Sequence, residues 1–497
     1  KKRFYLEKKA IKTCKKISQI TDEFLISIFN FYAKEHKEIS EMISVCAVGG
    51  FGRKVLAPFS DLDILILYSN STDLKKVDKF IRFFIYPLWD LNLKVGYAVR
   101  SENQAIELST KDHVIKTSML DSRIICGSQI IYEKTINKFF KEVSVTAYEL
   151  LENKINEREE KLIDIGYDYF KNEPNIKESE GSLRDINLIF WSLKIFNISR
   201  KQENSADQIL TKKEKRKLIS SLEFLLLLRC FLHYESDRNH DKLTFEFQHQ
   251  ISKLIFPNFK KNMGINSRVE KMMKNYFFEI RKTKNLAQII VKLIKENFNK
   301  VKLVYAPSTI NLSKILSGFL KNLTNDKNSV NEQRLLFDFS SKIKKEVYSE
   351  KKNIFNFKKI LFSSDNKKIL LLNDLGILQK IIPEFSRISD LPQFDRYHSL
   401  TVGQHTLRAL NILKELKENK PSNQTYIFAK KLLSKNKQLK PLYYSTLLHD
   451  IGKGSGNKHS QEGSKLSRRI LKRLNEDDTT IFNVQWLIEN HLMMSNL

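Results

Sequence analysis

The pattern of apolar and polar positions predicts a small mixed domain near the start of the chain. Residues 1–40 carry apolar side chains at helical spacing, and Ser44–Val48 and Leu62–Tyr68 are short β-prone runs. Apolar residues return to helical spacing between about 72 and 90, and Lys94–Val99 has the pattern of a further strand. This order indicates an α+β domain.

The rest of the chain has the pattern of helices. Apolar residues recur at three-to-four spacing from about 136 to 300, with one polar loop at Asn172–Ser182. The β-branched run with a proline at Val301–Asn311 indicates a boundary, and Asn419–Thr425 is a predicted loop. We therefore predict two all-α regions after the α+β domain. The predicted segments are 1–40 (helical), 41–135 (α+β), 136–305 (helical), 306–385 (helical connector) and 386–497 (helical, rich in histidine).

Composition excludes a membrane-spanning or disordered chain. The 497 residues are 41% hydrophobic, enough for several cores. The richest apolar run, Leu222–Leu228, ends at Arg229 and is far shorter than the roughly 20 residues that cross a bilayer. The first residues are charged throughout, unlike a secretory leader. The cysteines have no metal-binding spacing, so we expect reduced, buried thiols in a cytoplasmic protein.

The net charge of +29 raises the question of nucleic-acid binding. The basic residues are mostly lysines spread along the chain, and runs such as Lys212–Lys217 are typical of solvated helix faces. We therefore do not expect nucleic acid to be the partner.

Residues 47–67, AVGGFGRKVLAPFSDLDILIL, join a glycine-rich turn to two aspartates in an apolar run. Asp61 and Asp63 lie two residues apart on a predicted strand, so their side chains point to the same face. Two close carboxylates repel each other unless a cation lies between them, and Mg²⁺ bound by carboxylates and phosphate oxygens fits this pair. The turn would let backbone N–H groups approach a phosphate chain. The residues predicted to bind that chain are Gly49, Gly50, Arg53, Lys54 and Ser60.

Histidines gather near the end of the chain. Five of the ten lie in the last hundred residues: His398, His405, His449, His459 and His491. The apolar run Leu442–Leu448 delivers His449 and Asp450 at a predicted helix end. Neutral imidazole and carboxylate are ligands of hydrolytic metal sites. We predict that His405, His449 and Asp450 bind a metal ion and that His459 and His491 serve a second ion or hold phosphate. For His398, binding and packing remain equal alternatives.

Taken together, these motifs resemble the bacterial PII protein uridylyltransferase/uridylyl-removing enzymes. The glycine–aspartate segment, Pro87–Arg100 and Asn172–Trp191 all look like family motifs, as do LRCFLHYESDRNHDKLTF, VEKMMKNYF, QFDRYHSLTVGQHTLRAL, LLHDIGKGSGNKHSQEG and ENHLMMS. The resemblance runs from about residue 45 to the end. This chain departs from the family with Tyr97 in place of a histidine, and with Glu180 and Ser182 in place of a proline and a glycine.

The resemblance implies a nucleotidyltransferase fold, then a helical domain, then an HD-type metal-dependent phosphohydrolase domain. The first domain would transfer UMP from UTP to a tyrosine of the PII nitrogen-signalling protein, with Mg²⁺ on Asp61 and Asp63. Such folds use a third carboxylate on a neighbouring strand, for which Asp121 is the candidate and Glu102 and Asp90 are rivals. The retained family residues Arg184 and Asp185 are expected to bind substrate.

The HD domain would hydrolyse the tyrosine–UMP bond with Mn²⁺ or Mg²⁺, using His449 and Asp450 as catalytic residues. The family continues past the position of Leu497 with the rest of the HD domain and two glutamine-binding ACT domains, so we expect a truncated chain.

Two other functions fit parts of the pattern. An RNA- or tRNA-directed nucleotidyltransferase with an HD domain would suit the positive charge, but no RNA-stacking motif is evident. A non-catalytic regulatory scaffold would tolerate loss of the acidic and histidine clusters, which are intact here.

Overall fold

A four-stranded sheet between layers of helices organises the first part of the chain. The computed structural model describes residues 1–165, 171–200, 209–258, 265–298, 317, 334, 350–392, 400–417, 427–435, 438–454 and 459–493. The chain divides into two units. The first contains residues 1–169, 174–257 and 282–301, and the second contains residues 170–173, 258–281 and 302–497.

The sheet has the strand order β3-β2-β1-β4. Its strands are β1 (Ile43–Ala47), β2 (Leu62–Tyr68), β3 (Val95–Ser101) and β4 (Arg123–Gly127). Strand β1 is antiparallel to both β2 and β4, whereas β2 and β3 are parallel. The first three strands confirm the predicted ones to within two residues. The fourth was not predicted from the sequence.

Helices surround this sheet in the first unit. They are α1 (Lys2–Glu7), α2 (Ala10–Glu35), α3 (Ile39–Met42), α4 (Gly49–Gly52), α5 (Leu74–Asp90), α6 (Glu102–Lys111), α7 (His113–Leu120), α8 (Gln129–Val145), α9 (Ala147–Ile165), α10 (Leu183–Arg200), α11 (Lys212–Ser236) and α12 (Phe245–Ile255). Helix α13 (Ile265–Phe298) contributes residues to both units.

Strand β2 is buried on both faces, which explains its nearly continuous apolar sequence. Leu62, Ile64 and Ile66 belong to a core that includes residues of α2 and α5. Leu65 and Leu67 belong to a second core, with residues of α7 and α8. Because side chains alternate along a strand, Asp63 lies on the same face as Leu65 and Leu67.

The second unit consists of helices in the described residues. They are α14 (Lys351–Phe362), α15 (Asn366–Asp374), α16 (Leu378–Ile381), α17 (Phe385–Ile388), α18 (Val402–Lys417), α19 (Ile427–Lys435), α20 (Leu439–Leu448), α21 (His459–Arg473) and α22 (Asp478–Glu489). Helix α20 contacts both α18 and α22. The predicted boundary at 301–311 and the predicted loop at 419–425 lie outside the described residues.

The observed architecture confirms an α+β domain followed by all-α regions. Within the described residues, no helix has both the length and the apolar content needed to cross a membrane. Cys14, Cys46 and Cys230 are buried free thiols, and Cys126 is half-buried.

Replacing Gly52 with alanine should destabilise the first unit strongly. An added Cβ would lie 2.0 Å from the backbone oxygen of Asp121 and 3.0 Å from that of Ala47. Backbone cannot move aside as a flexible side chain can, so we expect a loss of about 3 kcal/mol or more in the free energy of unfolding, measured by urea titration.

The matched control is Gly50→Ala in the same short helix. A Cβ at Gly50 would meet no heavy atom within 4 Å, so its stability should change by less than about 1 kcal/mol. Equal stability of the two variants would contradict this packing argument.

Candidate functional site

The two aspartates of the motif lie side by side at the start of β2. Asp61 directly precedes the strand and Asp63 is its second residue, and both side chains reach solvent. Burial of part of its carboxyl group and the negative charge of Asp61 raise the pKa of Asp63, whereas the charges of Lys177, Arg53 and Arg184 act in the opposite sense. Such a pair gains from a bound cation, because the cation removes the repulsion.

Two glycines leave room around the Asp63 carboxylate. A Cβ at Gly49 would lie 3.0 Å from Asp63 Oδ2, and a Cβ at Gly96 would lie 3.3 Å from Oδ1. Gly49 also has a φ of +57°, a conformation that side chains rarely adopt. The glycine turn that the sequence predicts forms the short helix α4. Because Gly49 and Gly96 carry no side chain, each leaves space beside one oxygen of the Asp63 carboxylate. A carboxylate that binds a ligand needs such space.

Arg53 is held beside this pair by residues from two other elements. Its Nη1 forms an ion pair with Asp121 Oδ2, and the same oxygen accepts a 2.9 Å hydrogen bond from Trp191 Nε1. The Arg53 guanidinium carbon lies 5.6 Å from the centre of the Trp191 ring. These contacts fix the guanidinium in one place.

The predicted third carboxylate has a different position from the one expected. Asp121 follows the last residue of α7, and Ser122 separates it from the first residue of β4, so Asp121 is at a helix end and not on a strand. Of the rivals, Glu102 is buried and pairs with Lys134 at 2.9 Å, and Asp90 is the exposed last residue of α5. Among the described residues, none of the three joins Asp61 and Asp63 in a group of possible metal ligands.

Two polar atoms near the pair are left unsatisfied. Ser60 Oγ and Arg53 Nε are buried without a hydrogen-bond partner in the part of the chain that the structure describes. Buried polar atoms are seldom unpaired, so these two atoms are available to a ligand. Lys54, by contrast, is exposed in the left-handed conformation, with a φ of 61°.

The loop of residues 171–182 and the first turn of α10 bring further cations to the site. Arg158 holds this loop through carbonyl oxygens of Glu178 and Ser179 at 2.8 and 2.9 Å, and through Asp185 Oδ1 at 2.6 Å. The other Asp185 oxygen accepts from the backbone N–H of Gly181. The buried Asp185 therefore contacts its own chain with both oxygens and shapes the loop.

Lys177 from this loop and Arg184 from the first turn of α10 lie near enough to the aspartates for their charges to act on Asp63. Arg184 Nε contacts Glu178 at 3.1 and 3.2 Å. Burial and the nearby charges of Arg229 and Arg184 lower the pKa of Lys177. Lys177 was not among the predicted site residues, although Lys177 lies within Asn172–Trp191, one of the segments that resemble a family motif.

A largely buried cluster supports the loop: Arg229 and His233 of α11 contact Asp241, which lies after the helix. Asp241 accepts from Arg229 at 2.7 Å and contacts His233 Nε2 at 3.1 Å, and its backbone oxygen accepts from Ile176 N at 2.9 Å. Burial alone would raise the pKa of Asp241, but the hydrogen bond with His233 and the charge of Arg229 hold it well below its ordinary value. The four-residue spacing of Arg229 and His233 on one helix was a usable signal.

The second unit gathers the predicted histidines around Asp450. The possible ligand atoms of His405, His449 and Asp450 lie within 4.8 Å of one another, and so do those of Asp450, His459 and His491. His405 lies in α18, and His449 follows the last residue of α20, as the sequence predicts. Asp450 belongs to both groups, so it could bridge two ions. The structure does not describe His398.

Contacts behind these ligands orient them. His449 Nδ1 donates to the Thr446 carbonyl at 2.9 Å and His491 Nδ1 donates to the Ile488 carbonyl at 2.6 Å, which leaves each Nε2 facing Asp450. His459 Nε2 is buried without a partner among the described residues. Burial and the charges of neighbouring cations lower the pKa of His459, despite the opposing charge of Asp450. A neutral, unpaired imidazole fits a metal ligand.

The chain matches three families of known domains in succession. The nucleotidyltransferase domain family matches residues 32–126, the GlnD PII-uridylyltransferase family matches residues 149–291, and the HD domain family matches residues 402–496.

Similar curated proteins share one description, bifunctional uridylyltransferase/uridylyl-removing enzyme. The protein of Phenylobacterium zucineum is 28% identical over 98% of this chain and 56% of its own length. That of Rhodospirillum rubrum is 28% identical over 96% and 54%, and that of Rhodopseudomonas palustris is 29% identical over 97% and 56%. The chain thus spans a little over half the length of these relatives.

Replacing Asp241 with asparagine should lower stability in a pH-dependent way. Its folded pKa lies below the ordinary value of 3.8, so the charged pair stabilises the fold above that pH and loses its effect as the pH falls through the folded pKa. We expect Asp241→Asn to cost about 2–3 kcal/mol near neutral pH, and the difference from the unmutated chain to shrink at about pH 3.

Thermal melting at the two pH values measures this difference. The control is Asp237→Asn, because the Asp237 side chain is 77% exposed and pairs only loosely, at 3.7 Å, with Lys1. A pH-independent effect of Asp241→Asn would contradict the assigned pKa direction.

Proposed function

We propose that this chain, a homologue of the bifunctional uridylyltransferase/uridylyl-removing enzymes with a nucleotidyltransferase domain and an HD domain, acts on a PII signalling protein. The first unit transfers UMP from UTP to a tyrosine of PII and releases pyrophosphate. The HD domain hydrolyses the resulting tyrosine–UMP bond. The observation that carries this proposal is the Asp61–Asp63 pair, which β2 presents beside a cluster of cations.

Asp61 and Asp63 would hold Mg²⁺ in the transferase. When bound, the ion supplies positive charge for the triphosphate and for an ionising tyrosine hydroxyl. The open space at Gly49 and Gly96 supports this assignment, because it leaves both Asp63 oxygens accessible. Asp121 would hold Arg53, with which it forms an ion pair, and would not serve as a third metal ligand.

Arg53, Lys177 and Arg184 would bind the triphosphate oxygens. Their charges all act on Asp63, so they are near the position where the metal-bound phosphates would lie. Lys177 is the residue of this set with no ion pair to a carboxylate among the described contacts, which leaves its ammonium group available to an anion. Gly49 and Gly50 of the glycine turn, together with Lys54 and Ser60, stay proposed phosphate contacts. Asp185 would contribute to substrate binding indirectly, because its contacts with Arg158 and Gly181 set the conformation of the loop that carries Lys177.

The HD cluster would hold divalent ions, Mn²⁺ or Mg²⁺. His405, His449 and Asp450 would bind one ion, and Asp450, His459 and His491 a second. When bound, such ions act as Lewis acids on a phosphodiester. Lys453 contacts Asp450 Oδ2 at 2.9 Å and adds positive charge for the phosphate. Glutamine-sensing ACT domains would belong to the remainder of the protein, and the whole would work in the cytoplasm in nitrogen regulation.

Removing either carboxylate of the pair should abolish transfer. We expect Asp61→Asn and Asp63→Asn to lower the rate at which PII gains UMP by about 100-fold or more, because each removes a charged metal ligand. The measurement is the intact mass of PII after incubation with this chain, UTP and Mg²⁺.

Asp78→Asn is the matched control, since Asp78 is exposed on α5 and its ion pair among the described residues is with Arg82 on the surface. Transfer by Asp63→Asn at the rate of this control would refute the assignment of the site.

Divalent metal should bind to the HD cluster in a way that depends on Asp450. We expect Asp450→Asn to weaken Mn²⁺ binding by at least about tenfold, and His459→Ala to remove one of two binding events. Isothermal titration calorimetry measures both. His36→Ala, which removes an exposed histidine of the first unit, should leave Mn²⁺ binding unchanged. Unaltered binding in Asp450→Asn would rule the cluster out.

A further inference from the structure

Trp191 contacts both members of the Arg53–Asp121 ion pair. Its indole Nε1 donates to Asp121 Oδ2 at 2.9 Å, and its ring lies 5.6 Å from the guanidinium carbon of Arg53. Lys154 Nζ also lies 5.3 Å from the ring centre. A tryptophan whose role is to fill the hydrophobic core has apolar neighbours. Trp191 instead has a carboxylate at its N–H and two cations near its ring.

Helix α10 holds the Asp121 segment at two points. Besides the indole of Trp191, Lys194 one helical turn later donates from Nζ to the backbone oxygen of Leu120. The helix therefore fixes Asp121, and Asp121 in turn fixes Arg53. Hydrogen bonds to a charged acceptor are among the stronger ones in proteins, so this chain of contacts can set where the guanidinium lies.

We propose that Trp191 is a positioning residue for Arg53: its indole N–H holds the Asp121 carboxylate, and its ring supports the guanidinium that meets the nucleotide triphosphate. This inference rests on the proposed transferase function. The side chains of Arg53 and Asp121 are 19% and 5% exposed, so neighbouring protein groups such as Trp191, and not bulk water, surround most of their surface. Trp191 thus contributes to the nucleotide site without touching the nucleotide.

The test compares Trp191→Phe with the unmutated chain in the transfer of UMP to PII. Phenylalanine keeps an aromatic ring near Arg53 but removes the N–H that holds Asp121. We expect the KM for UTP to rise about tenfold while kcat falls less than about threefold, because Arg53 binds the triphosphate and does not transfer a proton.

Trp89→Phe is the matched control, since Trp89 is 45% exposed on α5, in the same unit. It should leave both constants unchanged. An inactive unmutated chain would defeat the proposed function itself. If the unmutated chain is active and Trp191→Phe has the same KM for UTP and the same kcat as Trp89→Phe, the positioning role is overturned while the proposed function stands.

A double-mutant cycle separates positioning from general packing. If Trp191 acts through Arg53, Trp191→Phe should add almost nothing to the KM increase already caused by Arg53→Gln. Fully additive effects would overturn the proposal. Should Trp191→Phe fail to fold, Asp121→Asn tests the same contact, and it should raise the KM for UTP by a similar factor.

The contact also has a readout that does not involve activity. The chain contains three tryptophans, so an indole N–H spectrum of ¹⁵N-labelled protein should show three resonances, of which Trp191→Phe identifies one. Asp121→Asn should shift that resonance and leave the other two in place. An unmoved Trp191 resonance would show that the hydrogen bond is absent.

Discussion

The repulsion between Asp61 and Asp63 is the constraint on which the first unit depends. Strand β2 presents both carboxylates on one face, and the negative charge of Asp61, together with burial, raises the pKa of Asp63. Holding such a pair is unfavourable unless positive charge compensates it. The rest of the unit supplies that charge from separate elements, with Arg53 at the end of α4, Lys177 in the loop of residues 171–182 and Arg184 in the first turn of α10. The repulsion is therefore also what makes the site ready for a divalent ion.

Residues distant in the chain hold Arg53 and the loop that carries Lys177. Asp121 and Trp191 hold Arg53, and Glu178 contacts Arg184. The loop itself is fastened by buried groups, with Arg158 on one side and Asp241 on the other. These ion pairs are not primarily a source of net stability, since buried pairs cost much of what they gain. Their contribution is geometric, because they leave few positions for the guanidinium and ammonium groups.

In the second unit, the buried carboxylate of Asp450 is surrounded by several imidazoles. Asp450 is buried, and its neighbours His449 and Lys453 keep its pKa well below the ordinary value despite that burial. Close packing sets the geometry, because a Cβ at Gly452 would lie 2.2 Å from the backbone oxygen of His459. That glycine lets the turn after α20 approach the first residue of α21, so histidines from two helices, α18 and α21, and from the turns after α20 and α22 lie around the same carboxylate.

The sequence alone determined what is local. Alternation on β2 put Asp61 and Asp63 on one face, and the apolar run of α20 placed His449 and Asp450 at a helix end. Both follow from periodicity, which acts between neighbours in the chain. Only the tertiary structure decided which distant groups meet them. It put Asp121 on Arg53 instead of on a strand beside the aspartates, brought Lys177 toward Asp63 and turned Asp185 inward to Arg158. The physical reason is that ion pairs and close backbone contacts depend on distances across the fold, which no spacing along the chain encodes.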